Sequence, residues 1–245
     1  MRSNLPVINV YNKKSIKSKL IVTQLLYGDS FKIIKKTGSW IKIKNNLDGY
    51  KGFIKKRNFP PNKKNTHKVY NLFSNLYKKP SLKFKIKKKI SFGSKIKITE
   101  KKNQFFKFDN FWIKKNDLKK INYKNKDIFK GLNKFIGTKY VWGGKSFSGI
   151  DCSALVQLFI NFNNKYCPRD SKDQIGYFKK KIKLKNIRKN DLIFWKGHVA
   201  IAISNQQLIH AYGPLRTTIK MPIKKTIDRI YKTANLKVIG IRRIV

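Results

Sequence analysis

The sequence predicts an α+β protein: two small antiparallel β-barrels, then a domain in which helices precede an antiparallel meander. Short β-rich runs separated by Gly-containing turns fill the first half of the 245 residues, and this pattern occurs twice. From about residue 123, runs with helical spacing precede longer strand-like runs. We place the domains at 1–60, 66–122 and 123–245.

The first barrel is predicted from strand-like runs that alternate with turns at Gly28, Gly38 and Gly49. The runs are Leu20–Leu26, Phe31–Ile34, Trp40–Ile43 and Gly52–Ile54. A polar segment broken by Pro60 and Pro61 then predicts a linker.

The second barrel repeats this pattern more faintly. Its runs are Val69–Phe73, Ile90–Ser94, Lys95–Ile98, Phe105–Phe108 and Phe111–Ile113. Both segments end in an aromatic residue followed by Ile, at Phe53-Ile54 and at Trp112-Ile113. The two segments resemble bacterial SH3-like domains.

The third domain begins with helical spacing over Asp127–Ile136, which ends at Gly137. A Gly-rich loop at 142–144 leads to Cys152, and Ala154–Ile160 predicts a buried helix. The strands expected after it are Asp191–Trp195, His198–Ile203 and Leu208–Ala211.

The net charge of +48 comes from 59 Lys and Arg against 11 Asp and Glu. A charge of this sign is typical of nucleic-acid binding, but only eight of the basic residues are Arg, the residue that best recognises phosphate. Because Lys, Asn, Ile, Phe and Tyr all have AT-rich codons, we interpret the excess as compositional drift with Lys on the solvated surface. We therefore do not expect nucleic-acid binding as the main function.

The composition also argues against membrane-spanning proteins and disulfide-rich scaffolds, and the start of the chain indicates where the protein is located. No stretch approaches about 18 apolar residues, so no membrane span is expected, and two cysteines exclude a disulfide scaffold. The start of the chain lacks the apolar core of about 7–15 residues of a signal peptide. We expect a cytoplasmic protein, or a periplasmic one if a mis-called start codon hides a signal peptide.

Cys152 is the candidate nucleophile, because it lies where a Gly-rich loop meets a predicted helix start. Backbone N–H groups and the helix dipole stabilise a thiolate there. The plainer alternative is a small buried hydrophobic residue, which is the usual fate of a free Cys and the interpretation that we favour for Cys167.

His198 and His210 are the candidate base and its partner. They lie on consecutive predicted strands, and a hairpin about Ser204 would place the two side chains opposite each other. An imidazole base needs a second group to fix its tautomer and orientation. Each His alone is compatible with a plain core position, as is His67 in the linker. No metal site or cofactor is expected, because no Cys-x-x-Cys or His-Glu-x-x-His spacing occurs.

An ordered string of motifs makes the chain similar to the NlpC-type family of papain-like cysteine peptidases, which act on cell-wall peptides. The string comprises Tyr140–Gly144, Asp151–Gln157, Pro168–Ser171 with Gln174, Asn190–Phe194, His198–Ile201 and Leu208–Ala211. The resemblance covers about half the chain. Ala154 and Asn190 stand where the family usually has Gly.

The resemblance implies a papain-like catalytic domain with Cys152 as nucleophile, His198 as base and His210 orienting it. It also implies that the Tyr140 hydroxyl assists at the oxyanion. With SH3-like domains in front, the chain resembles the γ-D-glutamyl-L-diamino acid endopeptidases, which require a free N-terminal L-alanine. An ammonium group needs a carboxylate and acceptors at a closed end of the site. The residues expected for substrate binding are Asp151, Ser153, Tyr50, Asp29 and Arg169.

Asp151 is equally compatible with a helix N-cap, and Tyr50 with an exposed turn. The function expected first is a monomeric cysteine endopeptidase that recycles peptidoglycan peptides. One alternative is an exported hydrolase of intact cell wall, held to anionic polymer by its basic SH3-like domains. Another is a non-enzymatic module that binds anionic polymer through the Lys excess. The ordered Cys152, His198 and His210 argue against that last function.

Overall fold

A computed structural model describes residues 1–17 and 20–244, in two compact units. The first unit comprises 1–124 together with 143–147, and the second comprises 125–142 and the rest of the chain from 148. The short segment 143–147 falls in the first unit and lies within the sequence range predicted for the third domain. Val245, the last residue of that predicted domain, lies outside the described residues.

The first unit begins with a five-stranded antiparallel sheet in the order β2-β1-β5-β4-β3. Its strands are β1 (Val7–Tyr11), β2 (Ile21–Leu26), β3 (Phe31–Thr37), β4 (Trp40–Asn45) and β5 (Lys51–Lys55). β2 to β5 arise where the sequence predicted strands, whereas β1 was not predicted. Within the described part of this segment, no pairing joins the edge strands β2 and β3 into a closed barrel.

Alternating side chains from these strands form the core of the sheet. Leu25, Phe31, Ile43 and Ile54 have no exposed surface, while the Lys residues between them face solvent. Gly52 in β5 is required by close packing, because a Cβ there would lie 2.5 Å from Cγ1 of Val10.

Two further sheets complete the first unit, in the orders β10-β11-β12-β7-β8 and β13-β6-β9. Their strands are β6 (His67–Val69), β7 (Phe73–Tyr77), β8 (Lys85–Ser91), β9 (Lys95–Ile96), β10 (Glu100–Lys102), β11 (Phe105–Phe108), β12 (Phe111–Lys114) and β13 (Leu118–Lys120). Single 3₁₀ turns occupy Leu82–Phe84 and Lys115–Asp117, and β14 (Lys145–Ser146) lies in the same unit.

The predicted run Val69–Phe73 is not one strand, because β6 ends at Val69 and β7 begins at Phe73. Asp117 explains the break. Its backbone carbonyl accepts the Tyr70 N–H at 2.8 Å, and its carboxylate accepts from the Asn71 side chain at 2.6 Å.

The second unit contains three α-helices and a six-stranded antiparallel sheet in the order β16-β21-β17-β18-β19-β20. Its elements are β15 (Gly149–Ile150), α1 (Cys152–Phe162), α2 (Ser171–Tyr177), β16 (Lys180–Lys181), β17 (Asp191–Trp195), β18 (His198–Ala202), β19 (Gln207–Tyr212), β20 (Thr217–Pro222), α3 (Ile223–Ala234) and β21 (Gly240–Arg243). The 3₁₀ turns are Leu132–Phe135, Leu184–Asn186 and Gly213–Leu215. The meander β17–β18–β19 confirms the strands predicted from the sequence.

The helix predicted over Asp127–Ile136 is wrong, because only a 3₁₀ turn forms there. Gly131 adopts φ 90°, a left-handed conformation that an α-helix cannot contain. The Asp127 carboxylate also accepts the Phe129 N–H, which favours a local turn. The apolar spacing instead packs Phe129 and Phe135 against Phe159 of α1.

Helix α1 is almost entirely buried, as expected from its apolar run, and it contacts β18 and β19. This packing brings the start of α1 to the strands that carry His198 and His210. No helix in the described ranges is long and apolar enough to cross a membrane.

Candidate active site

Cys152 is the first residue of α1, as the sequence predicted, and its side chain is buried. Asp151 caps the helix by accepting the Ala154 N–H at 2.8 Å. The backbone N–H groups of Val199 in β18 and of Ser153 favour the ionised form of the thiol and contribute a lowering of its pKa. Cys152 thus lies between the start of α1 and β18, the strand that begins with His198.

His198 and His210 meet across the hairpin of β18 and β19. Ile201 pairs with Ile209, and this register brings Nε2 of His198 to 2.9 Å from Nδ1 of His210. The two side chains therefore meet, as predicted, but the pairing is centred one residue beyond the expected Ser204, so that they meet diagonally and not directly opposite each other. The His210 ring also stacks on Tyr212, with ring centroids 4.6 Å apart.

The hydrogen bond between the two rings limits which tautomer can act as a base. If His198 carries its proton on Nε2, it donates to His210 and leaves Nδ1 free to accept a proton. His210 then carries its own proton on Nε2, a buried atom without a hydrogen-bond partner among the described residues. His210 therefore suits an orienting role better than a proton-transfer role.

Burial favours the neutral form of each group in this site. It raises the pKa of Cys152 to about 12, with a smaller contribution from the negative charge of Asp151. It lowers the pKa of His198 to about 4 and that of His210 to about 3. The thiol of Cys152 and the imidazoles of His198 and His210 are therefore each favoured in the neutral form.

Tyr140 belongs to the same cluster. It forms a β-bridge with Ile150, directly before Asp151 and Cys152, and its ring lies 3.4 Å from the position a Cβ on Gly213 would take. Burial raises the pKa of the Tyr140 hydroxyl, and the charges of Cys152 and Asp151 raise it further. The hydroxyl is thus a neutral hydrogen-bond donor near Cys152.

Asp151 is paired with Arg169, a contact that the sequence did not predict. The two terminal nitrogens of Arg169 lie 3.0 and 2.6 Å from the two carboxylate oxygens of Asp151. The Ser153 hydroxyl accepts from Arg169 at 3.0 Å and donates to Asp151 at 3.2 Å. The N-cap role considered for Asp151 is confirmed, and its carboxylate also lies in an ion pair.

Gln174 in α2 secures this cluster. Its side-chain nitrogen donates to the carbonyls of Ser153 and Pro168, each at 2.9 Å. Cys167, which precedes Pro168, is fully buried, as expected of a small hydrophobic residue. No group of three or more His, Cys, Asp or Glu within 1–17 and 20–244 is placed to hold a metal ion.

Tyr50 and Asp29 lie in the first unit, and their roles toward the substrate stay predictions. Asp29 is buried, accepts the Leu26 N–H at 2.9 Å, and has Lys145 and Lys95 at 3.8 and 3.9 Å. Its charge therefore already has partners within that unit. Tyr50 is half-buried in a turn, where its N–H donates to Asp48 at 3.0 Å.

Two family models match the chain. The NlpC/P60 family matches residues 137–234, which hold the cysteine and both histidines described above. The bacterial dipeptidyl-peptidase Sh3 domain matches residues 14–58. A crystal structure of an NlpC/P60 family protein from Bacillus cereus superposes with a TM-score of 0.81 over 99% of this chain and 98% of that one, at 19% identity. These matches show that the chain has the papain-like fold of this family and an N-terminal SH3 domain.

Relatives known by name point the same way. Gamma-D-glutamyl-L-lysine dipeptidyl-peptidase of Bacillus subtilis is 25% identical over 219 residues, which are 78% of this chain and 72% of that protein. Dipeptidyl-peptidase 6 of Lysinibacillus sphaericus is 39% identical, but the match spans only 31% of this chain and 28% of that protein.

A third relative is itself named as an endopeptidase of this family. The probable endopeptidase NlpC of Escherichia coli is 30% identical over 112 residues, which are 42% of this chain and 69% of that protein. The match to the NlpC/P60 model lies in the part of the chain that holds Cys152 and the paired histidines. The chain belongs to the NlpC/P60 family of peptidases, with cysteine-type hydrolase chemistry and an SH3 domain before the catalytic domain.

Proposed function

We propose that the chain is an endopeptidase that cleaves the bond between γ-D-glutamate and the diamino acid in peptidoglycan-derived peptides with a free N-terminal L-alanine. Cys152 acts as nucleophile, His198 as base and His210 as the group that orients it. The observation that carries the proposal is the hydrogen bond between the two imidazoles, on strands that contact the helix whose first residue is Cys152.

The reaction begins with proton transfer from Cys152 to His198. The thiolate and the imidazolium stabilise each other, which offsets the burial that keeps both groups neutral at rest. The thiolate then attacks the γ-glutamyl carbonyl. In the tautomer in which Nε2 of His198 donates to Nδ1 of His210, the other ring nitrogen of His198 is the one that takes up the transferred proton.

The oxyanion formed by this attack needs donors that are already in place. The backbone N–H of Cys152 belongs to the first turn of α1, whose N–H groups have no partner within the helix. The Tyr140 hydroxyl supplies a second, neutral donor. His198 then returns its proton to the leaving amine, and water releases the acyl group from Cys152.

The substrate class rests on the relatives and on the chemistry of a free amine. The Bacillus subtilis relative carries gamma-D-glutamyl-L-lysine in its name and covers most of this chain. We assign Asp151 and Ser153 to the subsite for the N-terminal ammonium, which needs carboxylate and hydroxyl acceptors.

We also propose that the chain has three domains, namely SH3-like domains at 1–60 and 66–122 and a catalytic domain at 123–245. Two antiparallel sheets in 66–122, one of which contains the hairpin β11–β12, support a second SH3-like domain.

The test is hydrolysis of the tripeptide L-Ala-γ-D-Glu-L-Lys and its diaminopimelate analogue, each with a free or an acetylated N-terminus. We expect release of the diamino acid from the free peptides only, and none with Cys152→Ala. Cys167→Ala is the matched control and should retain activity. Equal cleavage of acetylated peptides, or enrichment outside the cytoplasm on cell fractionation, would favour a hydrolase of intact wall. Unchanged activity in Cys152→Ala would refute the mechanism.

A further inference from the structure

A carboxylate lies directly beside the nucleophile in sequence, and its position presents an electrostatic problem. Asp151 caps α1 and is 6% exposed, next to a cysteine that must become an anion. We propose that Arg169 is a positioning residue that neutralises Asp151, so that the cap of α1 adds no net negative charge beside Cys152. This inference rests on the proposed role of Cys152 as nucleophile.

Arg169 and Asp151 form a bidentate ion pair. Both terminal nitrogens of Arg169 reach Asp151, one oxygen each, at 3.0 and 2.6 Å. Arg169 is 3% exposed. Planar bidentate pairing of this kind fixes orientation as well as charge, which a lysine ammonium does not do.

The cap and its counter-charge have separate tasks. A carboxylate is among the best N-caps, and Asp151 uses one oxygen to accept from Ala154. Its negative charge nevertheless opposes ionisation of a neighbouring thiol, whereas a positive charge favours it. With Arg169 in place, the helix keeps its cap, and the positive charge of Arg169 offsets part of the effect of Asp151 on the thiol.

The charged and titratable groups around Cys152 come from several elements. Asp151 precedes it, Arg169 comes from the segment before α2, and Tyr140 comes from the segment before β14. His198 begins β18, directly before Val199, and contacts His210 of β19. Tyr140 is neutral because burial raises the pKa of its hydroxyl. Asp151 and Arg169 thus keep their charges throughout the proposed reaction, whereas His198 takes up and releases a proton.

Its contacts also argue against Arg169 as a receptor for a substrate carboxylate. Its terminal nitrogens are directed at Asp151 and Ser153, and almost none of its surface faces solvent. We therefore reassign Arg169 from direct substrate binding to holding the start of α1.

The experiment measures the rate of alkylation by iodoacetamide from pH 4 to 10 in the full chain, which reports when the thiolate forms without any peptide substrate. The variants are Arg169→Met, Asp151→Asn and the double variant, with Cys152→Ala giving the background from Cys167. We expect Arg169→Met to raise the apparent pKa of alkylation by about one pH unit and Asp151→Asn to lower it by a similar amount. The double variant should return to within about half a unit of wild type.

A purely structural role for Arg169 predicts a different pattern. Arg169→Met would then disturb alkylation whether or not Asp151 is present, and an unrestored double variant would overturn the proposal. If circular dichroism shows that Arg169→Met does not fold, the variants Asp151→Asn and Arg169→Lys test the proposal instead. Asp151→Asn must lower the apparent pKa, and Arg169→Lys must leave it near wild type because the charge is kept. A chain that shows this pattern yet does not cleave the tripeptide would refute the proposed substrate and not this inference.

Discussion

The hydrogen bond between the two histidines allows a sharp test of the orienting role, because Nδ1 of His210 is the contacting atom. An Asn side chain places its oxygen at nearly the same distance from the backbone as Nδ1 of His. His210→Asn can therefore still accept from Nε2 of His198. His210→Leu has almost the same shape as Asn but accepts no hydrogen bond. Comparison of the two variants isolates the acceptor, since both lose the stacking on Tyr212.

The magnitude follows from the burial of the pair. In His210→Leu the Nε2–H of His198 loses an acceptor at 2.9 Å in a site where His210 is 1% exposed. An unsatisfied buried donor costs about 1–3 kcal/mol. If that cost falls on the correctly oriented base, kcat/KM falls by about 5- to 150-fold. His210→Asn should retain activity to within about tenfold of wild type.

The assay is kcat/KM for the free tripeptide at pH 7.5, with the circular dichroism spectrum and urea midpoint of each variant as a check of folding. His210→Gln adds a geometric control, because its amide lies one methylene further out and should not reach the His198 nitrogen. Equal activities for the Asn and Leu variants would show that the hydrogen bond does not orient the base.

Two further predictions concern stability. Burial lowers the pKa of His198 to about 4 and that of His210 to about 3, so the unfolded chain binds more protons between pH 6.5 and 3. The free energy of unfolding should thus be fully retained above pH 6.5 and should fall by more than about 1 kcal/mol at pH 4.5. This fall should be smaller in the double variant His198→Gln/His210→Asn, which lacks both imidazoles. An equal fall of the free energy of unfolding in that variant would show that titratable groups other than these two histidines cause it. Gly52→Ala should cost about 1–3 kcal/mol in urea unfolding, because its Cβ would lie 2.5 Å from a Val10 methyl group. Gly176→Ala, whose Cβ meets nothing within 4 Å in α2, is the matched control and should not destabilise; equal loss in both would refute the packing argument.

Local patterns predicted the parts of the site that depend on neighbours in sequence. A Gly-rich loop before an apolar run was enough to place Cys152 at the start of α1. A hairpin of two apolar runs was enough to bring His198 to His210. Periodicity and turn residues act over a few positions, and both features lie within that range.

The parts that the sequence did not predict depend on contacts between distant positions. Asp151 and Arg169 are 18 residues apart, and only the folded chain brings the fork to the carboxylate. Asp191 pairs with Arg243 at 2.8 Å because β21 lies beside β17, a pairing that no local signal contains. The helix expected over Asp127–Ile136 failed for the opposite reason, since its apolar spacing was right but Gly131 broke the backbone.

Asn190 shows how a biased amino-acid composition can be accommodated without loss of a turn. It stands where the family usually has Gly, and its φ of 73° is one that few side chains tolerate. Asn tolerates this conformation, and here its amide also donates to Asp127 at 3.0 Å, a bond that Gly could not make. Asn103, Asn164 and Asn235 occupy the same left-handed region. Mutational pressure toward AT-rich codons can therefore replace GC-rich glycine codons at such turns while the backbone keeps its path.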